Sequence, residues 1–290
     1  MAQKDVDEVT GTETTGHEWD GIRELNTPLP KWWLYVFYAT IVFAAVYMVL
    51  YPAVPSLSGY TSGLLNYSTR GQLVQDLSDV RQARAAWLDR LEASTVDEIE
   101  QDPELLRYAM AGGHVIYADN CGPCHGAGGA GRPGYPVLAD DVWMWGGSLD
   151  AIHQTLLYGI RSSNDQSRIS NMPAFGTDGI LQRDEIRAVA DHVLVLAGAG
   201  EAHAEAADAE GARIFEEQCA ACHGADGTGN VELGAPNLTT GIWLYGGSRQ
   251  DIIAQVSNPK HGIMPAWIDR LGDAEIKQLT VYVHSLGGGQ

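Results

Sequence analysis

Basic side chains are what this sequence most conspicuously runs short of. It has 18 Lys and Arg against 37 Asp and Glu in 290 residues, for a formal net charge of −19. Phosphate backbones are gripped by clustered Lys and Arg, so this balance excludes a nucleic-acid partner and favours basic protein surfaces. Cysteine is scarcer: there are four, and none is left over from two identical spacings. That pattern excludes a disulfide framework. The C-terminal region lacks runs of alternating apolar and polar residues, which removes the usual signature of half-buried strands. Disorder over long stretches is excluded as well, because 45% of the residues are hydrophobic.

One long uncharged apolar run is present. Trp32–Tyr51, WWLYVFYATIVFAAVYMVLY, holds 20 residues without a charge. As a helix it matches a bilayer core of roughly 30 Å. Trp32, Trp33, Tyr35 and Tyr38 crowd one end and Tyr47 and Tyr51 mark the other, as in an aromatic belt. A cleaved signal peptide fits poorly, because the run is too long and starts too late. Nearly every face is apolar, so a half-buried core helix fits no better. Pro52 and Pro55 end the helix. Arg23 and Lys31 precede the run and the next basic residue is Arg70, so the positive-inside rule puts residues 1–31 in the cytoplasm and the remainder outside.

The organisation expected is a cytoplasmic tail at 1–31, a transmembrane anchor at 32–54 and a connector at 55–108. Within the connector, Leu73, Leu77, Val80, Trp87, Leu88 and Leu91 fall at helical spacing, interrupted by Arg84. That helix packs either on the adjoining domain or on another membrane subunit. From residue 109 the chain repeats itself. GHVIYADNCGPCHGAGGAG pairs with GARIFEEQCAACHGADGTG, and PVLADDVWMWGGS with PNLTTGIWLYGGS. NMPAF pairs with IMPAW, and DEIRAVADHVLVLAG with AEIKQLTVYVHSLGG. Matched elements in one order mean a duplicated domain, not a solenoid. The copies are placed at 109–198 and 209–290, with an Ala/Gly/Glu-rich linker at 199–208. Both read as helical, with Ser148 and Ser248 as N-caps. Ile186, Val189, Ala190 and Val193 form the apolar stripe of one last helix, and Ile276, Leu279, Val283 and Leu286 that of the other.

All four cysteines lie in the repeated pentapeptides CGPCH, 121–125, and CAACH, 219–223. Cys-x-x-Cys-His is the attachment signature of c-type haem. Cys121 and Cys124 would form thioethers to one porphyrin and Cys219 and Cys222 to another, with His125 and His223 as proximal iron ligands. A redox dithiol would need a thioredoxin-like βαβ context, and zinc usually gathers ligand pairs closer in sequence. Met172 follows His125 by 47 residues and Met264 follows His223 by 41, each in a loop before Pro. A thioether in the second axial position would raise the reduction potential and close the iron. The default is ligation within each copy, but two domains packed face to face can exchange methionines, so the pairing stays open. His261, three residues before Met264, is the rival ligand in the second copy. His114, His153, His192 and His284 have no counterpart between the copies and read as structural or surface groups. The carbonyls of Pro136 and Pro236, 11 and 13 residues after the two histidines, are expected to hold the imidazole N–H groups. Trp143 and Trp243 read as pocket packing.

With duplicated CxxCH…P-x-L…W…GGS…MP domains behind one anchor, and NTPLPKWW leading into it, the sequence resembles subunit III of cbb3-type cytochrome c oxidase. The resemblance runs from about Asp20 to the C-terminus. It implies a mainly α fold, with one N-terminal transmembrane helix followed by two tandem all-α cytochrome c domains. It implies two covalently attached haem c groups, held by Cys121, Cys124, Cys219 and Cys222 and ligated by His125, His223, Met172 and Met264. It implies an electron-transfer subunit, without catalysis of its own, in the inner membrane of a bacterium with its haem domains in the periplasm. A periplasmic cytochrome c would donate electrons. A monohaem subunit and a catalytic haem–copper subunit, which reduces oxygen and pumps protons, would receive them. The competing readings are a dihaem peroxidase and an anchored cytochrome serving a dehydrogenase or a sensor.

Overall fold

The computed structural model describes residues 5–198 and 209–287; the linker read at 199–208 lies outside the described residues. The chain falls into two units, Met1–Ala83 and Arg84–Gln290.

The first unit begins with an antiparallel hairpin, β1 (Thr14–Trp19) and β2 (Ile22–Leu25). Its turn is Asp20-Gly21 with φ of 49° and 83°, the pair of positive angles that Asp-Gly turns supply. Helix α1 (Lys31–Leu50) follows, entered through Pro30. Its 20 residues are long and apolar enough to cross a membrane, and none is buried. Trp33 stacks on Phe37 at 5.4 Å and Tyr47 on Tyr51 at 4.7 Å. The chain then folds back, and the amides of Leu64 and Leu65 donate to the Val49 and Leu50 carbonyls at 2.9 and 3.0 Å. Those carbonyls have no partner inside the helix, so this return satisfies them. Residues 51–54 lie beyond the helix. A second small hairpin, β3 (Pro55–Ser56) and β4 (Gly59–Tyr60), stands where a plain connector was expected.

Helix α2 (Thr69–Ala93) runs from one unit into the other. Leu73, Leu77 and Val80 are exposed, whereas Leu91 is fully buried. Leu91 packs with Val96 and Ile99 of α3 (Val96–Gln101) and Leu105 and Ala109 of α4 (Pro103–Asn120). Ala274 and Val281 from the far end of the chain join them. A capping box at Thr95 starts α3, and Asp102 followed by Pro103 starts α4. Residues 84–108 thus share a core with the repeats, and their helix packs on the adjoining domain.

The remaining helices are α5 (Gly122–His125), α6 (Leu149–Tyr158), α7 (Arg183–Leu196), α8 (Ala209–Gln218), α9 (Ala220–His223), α10 (Arg249–Ser257) and α11 (Asp273–His284). Ser148 and Ser248 cap α6 and α10, each accepting an amide at 3.2 Å. The two cores of this region cut across the repeat boundaries. One gathers Tyr117 and Cys121 with Ile152 and Leu156 of α6 and Ile276, Leu279 and Val283 of α11. The other gathers Ile186, Val189 and Val193 of α7 with Ile214 and Phe215 of α8 and Ile252 and Val256 of α10. The last helix of each copy therefore packs against the first helix of the other. Burying each Ile, Leu, Val or Phe contributes about 1.5–3 kcal/mol. Both crossings depend on glycine. A Cβ at Gly113 would lie 2.3 Å from the Gln278 carbonyl oxygen, and one at Gly211 would lie 2.4 Å from that of Ala188. Backbones approach this closely only where no side chain intervenes.

Candidate functional site

Each pentapeptide closes into one helical turn. In α5 the amides of Cys124 and His125 donate to the Cys121 carbonyl at 3.0 and 2.8 Å; in α9 those of Cys222 and His223 donate to Cys219 at 3.1 and 2.9 Å. Positions three and four apart share a face, so two sulfurs and an imidazole are presented together. Helices α4 and α8 lead directly in, the Cys121 and Cys219 amides donating to Tyr117 and Phe215 at 2.8 Å.

The loops after the two turns match bond for bond. The Gly131 and Gly229 amides donate to the His125 and His223 carbonyls at 2.7 Å, and those of Leu138 and Leu238 to Gly129 and Gly227 at 2.7 Å. This loop brings the Pro136 carbonyl 3.1 Å from Nδ1 of His125 and the Pro236 carbonyl 3.1 Å from Nδ1 of His223. A carbonyl only accepts, so Nδ1 carries the proton and Nε2 keeps the lone pair that a metal takes. Burial lowers both imidazole pKa values, with the proline bond acting the other way. Both rings are accordingly neutral near pH 7.

Burial, and secondarily the neighbouring thiol, pushes the Cys121 and Cys219 pKa up to about 11. Redox dithiols need the opposite shift. The four sulfurs are not joined as disulfides, and the described residues contain no cluster of His, Cys, Asp and Glu fit for a bare metal ion.

The methionines lie with the other copy's pentapeptide. Met172 lines a cavity of about 230 Å³ together with Cys219, Cys222, His223, Pro236 and Trp243. Met264 packs against the core that holds Cys121, beside Leu138 and Trp143. Helix α11 covers α4 and α7 covers α8, and this packing brings each methionine to the other copy's pentapeptide. His261 also lines the Met172 cavity. The unmatched histidines lie apart: His114 meets Tyr282 edge-on, His192 tilts against Phe215, and His284 faces Glu100 at 3.3 Å. Two alkylatable thiols, a presented Nε2, a thioether and an apolar cavity form a donor set that fits c-type haem.

Sequence reasoning passed over the residues that tie the copies together. The Gly134 amide donates to Leu244 at 2.7 Å, and Trp145 lies where a side chain at Gly234 would stand. Arg161 also lines the Met172 cavity. A length difference was the available signal, since 24 positions separate Ser148 from Met172 and 16 separate Ser248 from Met264.

The family model described as "Cytochrome C oxidase, cbb3-type, subunit III" matches residues 109–193 and 206–283. The chain belongs to that family. A second model, "N-terminal domain of cytochrome oxidase-cbb3, FixP", matches residues 11–58, which include α1. Similar proteins include the cbb3-type cytochrome c oxidase subunit CcoP of Azospirillum brasilense, 50% identical over 298 residues, with 100% of each chain covered. Subunit FixP of Azorhizobium caulinodans is 53% identical over 285 residues, covering 98% of this chain and 96% of its own. FixP of Rhizobium meliloti is 47% identical over 289 residues, covering 99% and 98%. Membership of the subunit III family brings c-type haem and a place among oxidase subunits, and two cytochrome c domains fit a dihaem electron relay.

Proposed function

We propose that the chain is the membrane-anchored dihaem relay of a cbb3-type oxidase, without catalysis of its own. It takes electrons from a periplasmic c-type cytochrome and passes them towards a monohaem subunit and the oxygen-reducing haem–copper subunit. Cys121 and Cys124 would hold one haem covalently and Cys219 and Cys222 the other, and each group, when bound, would supply one-electron chemistry. His125 with Met264, and His223 with Met172, would ligate the two irons. The carbonyls of Pro136 and Pro236 orient the imidazoles. Helix α1 sits in the inner membrane, with the N-terminus cytoplasmic because Arg23 and Lys31 lie on that side. One observation carries the reading: a single cavity is lined by Cys219, Cys222 and His223 from one copy and by Met172 from the other.

With a methionine as well as a histidine for each iron, no position would remain open for peroxide, which weighs against a dihaem peroxidase. The test is the mass and haem content of the tagged chain taken from membranes in mild detergent. Two porphyrin additions, no peroxide turnover and a co-purifying high-spin haem–copper partner are expected. Bare thiols at the four positions, or capture of a dehydrogenase instead, would overturn the reading.

A further inference from the structure

Beyond the ligands themselves, we propose that Arg161 is a positioning residue shared by both haem sites, its one guanidinium holding the Met172 and Met264 loops at once. This rests on the axial-methionine reading above. Arg161 Nε donates to the Gly262 carbonyl at 2.7 Å, and Nη1 donates to the Ser170 carbonyl at 2.8 Å. Each carbonyl lies two residues before a methionine. The guanidinium is a planar fork of fixed spacing, so two simultaneous bonds set the distance between the two loops.

The surrounding backbone is arranged to aim this side chain. Arg161 sits at φ 50°, a conformation that costs a non-glycine residue energy and persists only where its neighbours enforce it. Its amide donates to the Arg168 carbonyl at 2.8 Å, closing the longer loop of the first copy. Beside it, Ile160 and Met264 exchange both backbone hydrogen bonds at 3.0 Å. Arg161 has no ion-pair partner among the described residues. Arg161 and Lys260 are the charged residues lining the Met172 cavity, and both are positive, in a chain of net charge −19. An uncompensated cation disfavours a further positive charge on nearby iron, which holds the reduction potential up.

The test uses the full-length chain within its purified complex. Redox titration resolves the two haems, and the methionine-to-iron charge-transfer band reports ligation. Arg161→Gln is expected to weaken that band and lower the midpoint potential at both haems. Arg161→Lys keeps the charge but not the fork, and is expected to recover the potentials in part while both bands stay weakened. If the glutamine variant fails to assemble, the lysine variant decides alone by whether both bands weaken. A change at one haem or neither in the Arg161 variants, with both bands intact in the parent, overturns the proposal and spares the ligand assignment. A parent chain without the methionine band overturns both.

Discussion

Replacing Met172 by Leu is expected to abolish the methionine band of the haem held by Cys219 and Cys222 and to leave the other haem unchanged. Met264→Leu should do the reverse. Single-variant spectra combined with redox titration check this, and a loss at the haem of the variant's own repeat would reject the exchange. At this scale the sequence was most legible. Pentapeptide spacing singled out Cys121, Cys124, His125 and their counterparts, and the repeat alignment singled out Met172, Met264, Pro136 and Pro236. The pairing of methionine with histidine was not legible, because spacing along one copy says nothing about which copy packs on which. Arg161 was hidden for a related reason: its partners are backbone carbonyls, which carry no mark in the residue pattern.

Helices were legible from their stripes, but their partners were not. The apolar faces of α7 and α11 are alike, as are those of α4 and α8, so periodicity cannot choose between the two ways of matching them. The glycines at the crossings decide how close the matched pairs come. Gly113→Val would drive a side chain into Gln278 and Tyr282, and Gly211→Val into Ala188 and His192. Each is expected to cost about 1–3 kcal/mol, the usual range for overpacking, read as a lowered unfolding midpoint of the haem-loaded chain. Gly241→Val, at an exposed position where φ is not positive and no Cβ contact would arise, should leave stability within about 0.5 kcal/mol, as surface changes do. The β1–β2 hairpin escaped notice because its Asp-Gly turn is not flanked by alternating apolar residues.

For the molecule as a whole, stability should fall on acidification through the histidine range. Burial lowers the pKa of His153 and of His192, with Asp273 and Asp150 opposing that shift at His153 and Lys277 reinforcing it. The unfolded chain, with His near about 6.5, then binds more protons than the folded one, so unfolding free energy rises with pH in this window. Stability is full above about pH 6.5 and declines below it; thermal melts across this range check the slope, and His192→Gln should flatten it. Charge also sets the rate of partner encounter. Of the net −19, −4 falls in residues 1–31, which leaves −15 on the part beyond Lys31. Reduction by a basic cytochrome should slow as salt rises, because screening shortens electrostatic steering to about 8 Å at physiological ionic strength. A rate indifferent to salt would mean that the acidic surface does not guide the donor.

Interleaved cores also leave each half short of a wall of its own core. A fragment stopping before residue 199 keeps Cys121, Cys124 and His125 but forfeits both Met264 and the helix that roofs them; the complementary fragment forfeits Met172. On the proposed exchange of methionines, gene truncation is expected to leave no working monohaem remnant. A cut engineered between the halves should still yield a paired, two-piece cytochrome.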